Sequence, residues 1–174
     1  TSETVLYGYI AHYDLNSVEN NQVEGSKGGQ DATAQNVSGL GGVGKNGCVS
    51  FDAADISYID LGTGLLNGRD QYSISFFVKP DGLEERQSLF STGQDGDNSY
   101  HDVSIYIEGG KVKFRVWDKD AKEELILEET EGALTAGEWN QISAVRDKTE
   151  FYLYVNGKLA ASGSNDKIGT DCGS

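Results

Sequence analysis

The chain has 174 residues, 37% of them apolar and 10% aromatic, enough for one domain with its own core and too hydrophobic for a disordered segment. Against 28 Asp and Glu stand only 14 Lys and Arg, a net charge of −14. That field repels phosphate backbones and anionic lipid, so nucleic acid is excluded as a partner, and the lack of a long apolar run excludes membrane insertion by a helix. A neutral ligand, a cation or a basic protein stays in range.

In chain order, "TVLYGYIAHYDL" (4–15) reads as a strand entering a turn. Its amino end has neither a basic start nor a small-residue cleavage pattern, so the chain is expected to be a mature or excised piece of a longer protein. Residues 16–46, rich in Gly, Asn, Gln and Ser, read as one long polar loop that includes the glycine-rich "GLGGVG" (39–44). This last run lacks the Lys-Ser/Thr ending and the following helix of a phosphate cradle. "CVSFD" (48–52) and "SYIDLG" (57–62) are short strands, and "TGLLNGRD" (63–70) suggests one helical turn.

Beyond residue 70 the alternation becomes regular. "QYSISFFVKP" places Tyr72, Ile74, Phe76 and Val78 on one face, with Pro80 closing the strand. "HDVSIYIE" does the same with Val103, Ile105 and Ile107, and Gly109-Gly110 turns the chain into "KVKFRVW". There Val112, Phe114 and Val116 oppose Lys113, Arg115 and Trp117. After "ELILEE" and "NQISAVR", the stretch "EFYLYVNGKLAASGS" (150–164) is a hairpin turned by Asn156-Gly157. Ten to twelve short strands and no persuasive helix predict an all-β fold, a two-sheet antiparallel jelly-roll sandwich formed as a single domain over 1–174.

The order of "GCVSFDAADISYIDLGTGLLNGRDQYSISFFVKP", "SLFSTG", "HDVSIYIEGGKVKFRV" and "GEWNQISAVRDKTEFYLYVNGKLAASG" resembles the laminin G-like, concanavalin A-like lectin/glucanase superfamily. The resemblance covers roughly residues 45–163. It implies a concanavalin A-like jelly roll, but such domains place a further strand after the Asn-Gly hairpin. Here the chain stops at "IGTDCGS". The expectation is therefore that this closing strand is lacking, truncated or borrowed from elsewhere, leaving an edge that needs cover.

Relatives that cleave glucans would carry a Glu-x-Asp-x-x-Glu strand, and here Leu125 stands where the Asp would be. Glu124 and Glu128 share a strand face, but at about 3.3 Å per residue they lie roughly 13 Å apart, outside the roughly 5–9.5 Å of paired glycosidase carboxylates. His12 and His101 have no metal-ligand spacing and no nucleophile elbow occurs, so no catalysis is expected.

The expected function is a non-catalytic binding module, extracellular or at the cell surface, that takes a glycan or glycoprotein. A protein-binding adhesive module and an architectural spacer are the alternatives. Neutral sugars are held by aromatic faces and directed polar groups, and the candidates are Trp117, Arg115, Tyr106, Tyr152 and Tyr154. Each also suits a structural role on a partly covered sheet face. The resemblance further implies a calcium site just before the "VSIYI" strand, through Asp97, Asn98 and Asp102. Asp52 and Asp55 form a second acidic cluster. Cys48 and Cys172 are either one disulfide or two separate thiols.

Overall fold

A computed structural model describes residues 10–13, 15, 18, 20–23, 25–27, 31–41, 47–93 and 100–171. The chain divides into two compact units, 1–65 and 66–174. The described residues are almost wholly β, and all their strand pairs are antiparallel.

The first unit holds β1 (His12–Tyr13), β2 (Gln22–Val23), β3 (Gly25–Lys27), β4 (Ala32–Gln35), β5 (Ser38–Gly41), β6 (Gly47–Ser50) and β7 (Tyr58–Asp60). These pair as β1 with β3, β2-β4-β7 and β5 with β6. Four of them lie within 16–46, which corrects the expectation of a single long loop there. The cause is small side chains. The buried positions are Val23, Ala32 and Ala34, and alanines among polar residues leave the period-two pattern too faint to read.

The second unit holds β8 (Gln71–Val78), β9 (Gln87–Ser91), β10 (Asp102–Glu108), β11 (Lys111–Asp118), β12 (Glu123–Glu128), β13 (Asn140–Asp147), β14 (Glu150–Val155) and β15 (Lys158–Ser164). They form two four-stranded sheets, ordered β12-β11-β10-β9 and β15-β14-β13-β8. The segment 63–70 is not helical. Gly64 and Gly68 take φ of +77° and +75°, left-handed conformations that end any helical run.

The two sheets meet through the alternating faces. Val103, Ile105 and Ile107 from β10 and Val112, Phe114 and Val116 from β11 share one core with Ile142, Ala144, Phe151, Leu153 and Val155. Phe114 and Phe151 bridge the sheets with ring centroids 6.3 Å apart and planes tilted by 53°, a geometry worth roughly 0.5–1.5 kcal/mol beyond burial. The result is the expected two-sheet sandwich. Each sheet therefore has one outer face, and these faces carry the candidate residues.

Candidate functional site

The outer face of the β9–β12 sheet presents Tyr106 from β10, Arg115 and Trp117 from β11, and Glu124, Ile126 and Glu128 from β12, in register. Tyr106 is buried, and the Arg86 guanidinium lies 3.7 Å from its ring centroid. Trp117 is half-buried, with the Arg115 guanidinium 5.8 Å from its ring. The charges on this face are tied together. Glu108 accepts from Lys113 at 2.8 Å and Arg86 at 3.1 Å, and Glu128 accepts from Lys111 at 2.8 Å. Hydrogen bonding to Lys113, then to Arg86, holds the Glu108 carboxyl below its ordinary range. Glu128 is lowered in the same way by Lys111 and Lys113.

The outer face of the β8/β13/β14/β15 sheet is of another kind. Tyr152 and Tyr154 stand on it side by side, half-buried, with ring centroids 6.5 Å apart and planes inclined by 32°. One register row runs Ser75, Ser143, Tyr154, Leu159, and the next runs Ser73, Val145, Tyr152, Ser162. The Ser75 and Ser143 hydroxyls are 2.7 Å apart and hydrogen-bonded. Phe77 lies beside the first row and Leu159 ends it, 64% and 55% exposed. Neither row contains a charged residue.

The five aromatic and arginine candidates thus fall into two groups. Tyr106, Arg115 and Trp117 share one outer face, and Tyr152 and Tyr154 occupy the opposite one. No single ligand-binding surface contains all five.

At the turn end of β14 and β15 lies a cavity of about 230 Å³ that sequence reasoning missed. It is lined by Glu129, Glu131 and Lys158 and by apolar Ala133, Val155 and Leu159. Its walls are fixed by Asn156, whose Nδ2 donates to the Ala133 carbonyl at 3.1 Å and to Asn140 Oδ1 at 3.2 Å. Glu129, fully buried, accepts the backbone N–H groups of Val112 and Ala133. The only cues in the sequence are the Asn-Gly pair and a Glu following the β12 strand. The register slip near Tyr154 that re-aims β15 gives no signal of its own.

A family profile described as the concanavalin A-like lectin/glucanases superfamily matches residues 54–171, more than half of the chain. The chain belongs to this superfamily. Among solved structures, domain 4 of AbnA, an extracellular GH43 arabinanase from Geobacillus stearothermophilus crystallised with arabinotriose, aligns at a TM-score of 0.66 and 18% identity, over 94% of this chain and 79% of that one. The botulinum neurotoxin serotype D binding domain aligns at 0.59 and 17%, over 87% of this chain and 38% of that one. At these identities the likeness is one of fold. No curated protein matches the sequence significantly.

In this concanavalin A-like chain, Glu124 and Glu128 do lie on one strand face, each held in ion pairs, Glu124 by Arg115 at 2.7 Å. Of the calcium candidates, Asp97 and Asn98 lie outside the described residues. Asp102 is fully buried, accepting from Ser91 Oγ at 2.9 Å, Gly93 N at 3.3 Å and Arg115 Nη1 at 3.3 Å. Its Oδ2 is thus the partner of the Arg115 guanidinium, and its Oδ1 that of Ser91 and Gly93. Asp52 caps the short 3-10 turn Ala53–Asp55, with Oδ1 accepting from Ala54 N at 2.9 Å. Cys172 lies outside the described residues, as does any pairing with Cys48. No helix among the described residues is long and apolar enough to cross a membrane.

Proposed function

We propose that this chain is a non-catalytic carbohydrate-binding module of an extracellular or cell-surface protein, and that it holds a neutral saccharide on the outer face of the β8/β13/β14/β15 sheet. The observation that carries this reading is the Tyr152–Tyr154 pair, set in an uncharged field of serine hydroxyls on a chain of net charge −14. Tyrosine rings offer apolar faces to sugar C–H groups, and their hydroxyls, with those of Ser73, Ser75 and Ser143, offer hydrogen bonds to sugar hydroxyls. Such a surface discriminates by contact rather than by charge. The arabinotriose bound to the structurally similar arabinanase domain supports a saccharide as the ligand class.

Tyr106 contributes no stacking surface while Arg86 covers it. Trp117 serves as the internal control, because it stands on the other face. A glycan array followed by calorimetry on the hits tests the reading. Tyr152→Ala with Tyr154→Ala is expected to weaken binding by about tenfold or more, about 1.4 kcal/mol, and Trp117→Ala to leave it unchanged. A wild-type chain that binds no glycan, or a double variant that binds as well as wild type, overturns the reading.

A further inference from the structure

Among the described residues, the two sheets of the second unit end in four edge strands, β12, β9, β15 and β8. An edge offers a row of unpaired N–H and C=O groups, which proteins guard with charge, bulges, shortness or cover. β12 carries Glu123, Glu124 and Glu128. β15 lies against it, with Gly163 close to the Leu125 and Leu127 side chains and Asn165 donating to Glu123 at 3.2 Å. β9 is five residues long and shifts register against β10. β8 has none of these guards. Its eight residues carry no charge and pair with β13 without a register shift.

The direction of the open backbone groups on β8 follows from β13. The Gln141 carbonyl accepts from Asn156 N at 2.8 Å, so it points to the β14 side. Along a strand this direction alternates. The backbone groups of Ser143 and Val145 therefore also face β14, while those of Ile142 and Ala144 face their β8 register partners, Phe76 and Ile74. Ser73, Ser75 and Phe77 thus turn N–H and C=O away from β13. The core is open on that side as well. Ile74, Phe76 and Val78 pack on the core yet stay half-buried, whereas Ile142 and Ala144 on β13 are fully buried.

We infer that β8 is a self-association edge, to which a second copy of this chain adds its own β8, antiparallel about a two-fold axis at Ser75. Charge and symmetry select that occupant. A net charge of −14 opposes contact between copies, and β8, the longest uncharged edge, is where the opposition is locally least. About the axis, Ser75 stands opposite the partner's Ser75 and Ser73 opposite the partner's Phe77, so the outward N–H and C=O groups exchange hydrogen bonds. On the inner side Ile74 stands opposite the partner's Phe76, and each covers apolar surface that the other leaves open. The contact is self-complementary, as a two-fold interface requires. The two outer tyrosine faces then lie on the same side of one continuous sheet.

Sedimentation equilibrium of the whole chain over a range of concentrations tests this. The expected result is a reversible monomer–dimer equilibrium that tightens as salt is added, because screening weakens the repulsion between two acidic chains. Ser75→Pro deletes an N–H that β13 does not use, which an edge strand tolerates, and is expected to weaken self-association by about tenfold or more. Ser75→Lys and Ser75→Glu each set like charges opposite one another across the axis. Each alone is expected to be monomeric, and an equimolar mixture of the two to dimerise. If the proline variant does not fold, the charge pair decides. A wild-type chain that stays monomeric at every concentration and salt overturns the inference. So does a dimer that the Ser75 variants leave intact, or a mixture of the charge variants that forms no heterodimer.

Discussion

Asn156 and Ala133 are joined by a hydrogen bond of 3.1 Å from the Asn156 side chain to the Ala133 carbonyl, which ties a two-residue turn to a loop 23 positions earlier. Asn156 takes φ of +50° and Gly157 φ of +77°, the left-handed pair that matches the twist of a β-hairpin. Turn and clamp are therefore separable. Asn156→Gly keeps the backbone conformation and removes three side-chain hydrogen bonds, those to Ala133, Asn140 and Gln141. At about 1 kcal/mol each before relaxation, a net loss of about 1–3 kcal/mol is expected. Asn156→Ala adds roughly 1 kcal/mol for the left-handed conformation. Urea midpoints measured for both variants check this, and a glycine variant as stable as wild type would show that the clamp contributes nothing.

Arg146 anchors the segment after β15. It is 3% exposed, and its guanidinium donates to the carbonyls of Lys148 at 2.9 Å, Gly169 at 2.6 Å and Ile168 at 2.9 Å. The same group lies 5.2 Å from the Phe151 ring centroid. A lysine ammonium is a point donor and cannot span three carbonyls held in a fork. Arg146→Lys should therefore cost about 2–4 kcal/mol, and hydrogen exchange at residues 165–171 should accelerate more than exchange in β13. Uniform acceleration across both would show that Arg146 stabilises the fold without anchoring this segment.

What was legible in the sequence follows from the range of each interaction. The alternation of β8, β10 and β11 places every core residue of those strands on its correct face, because strand parity is local. The Gly109-Gly110 and Asn156-Gly157 turns were legible for the same reason. Sheet membership was not. Tyr106 and Tyr152 look alike in sequence, yet β14 joins β8 through β13 while β10 joins β11, and the β8–β13 pairing spans more than sixty positions, as between Ser75 and Ser143. Nor does a pattern reveal that Arg115, which reads as a polar-face residue, is buried and paired with Asp102, or that Arg146, in step with Ile142 and Ala144, is satisfied by carbonyls as far along the chain as Ile168 and Gly169.

Asp118 links the end of β11 to the same segment as Arg146 does. Burial pushes its carboxyl up. The backbone N–H groups of Ala121, Gly169 and Asp120, with the neighbouring His101, more than offset this and hold it below the ordinary carboxylate range. A depressed folded-state pKa contributes stability that is fully present above the unfolded value of about 3.9 and is lost as pH falls through the folded value. The wild-type chain is thus expected to lose stability as pH drops below about 4, and Asp118→Asn to show a shallower acid limb with lower stability at neutral pH. Circular dichroism melts from pH 6 to 2 would check this, and parallel acid limbs for the two chains would remove Asp118 from the acid response.

Asp102 separates a structural ion pair from a metal ligand. Its buried carboxylate faces the Arg115 guanidinium at 3.3 Å, and Arg115 is itself 7% exposed in its side chain. Removing one partner of a buried pair costs roughly 3–5 kcal/mol, eased here because Glu124 still accepts from Arg115 Nε at 2.7 Å. For a chain of this size about 2–4 °C accompanies each kcal/mol, so Asp102→Asn should lower Tm by on the order of 5–10 °C. The discriminating measurement is that difference taken twice, with chelator and with excess calcium. A pairing partner of Arg115 gives the same difference in both, because no ion contributes to the folded state. A calcium ligand gives a difference that collapses on chelation, since wild type then loses the stabilisation that bound ion supplies by linkage.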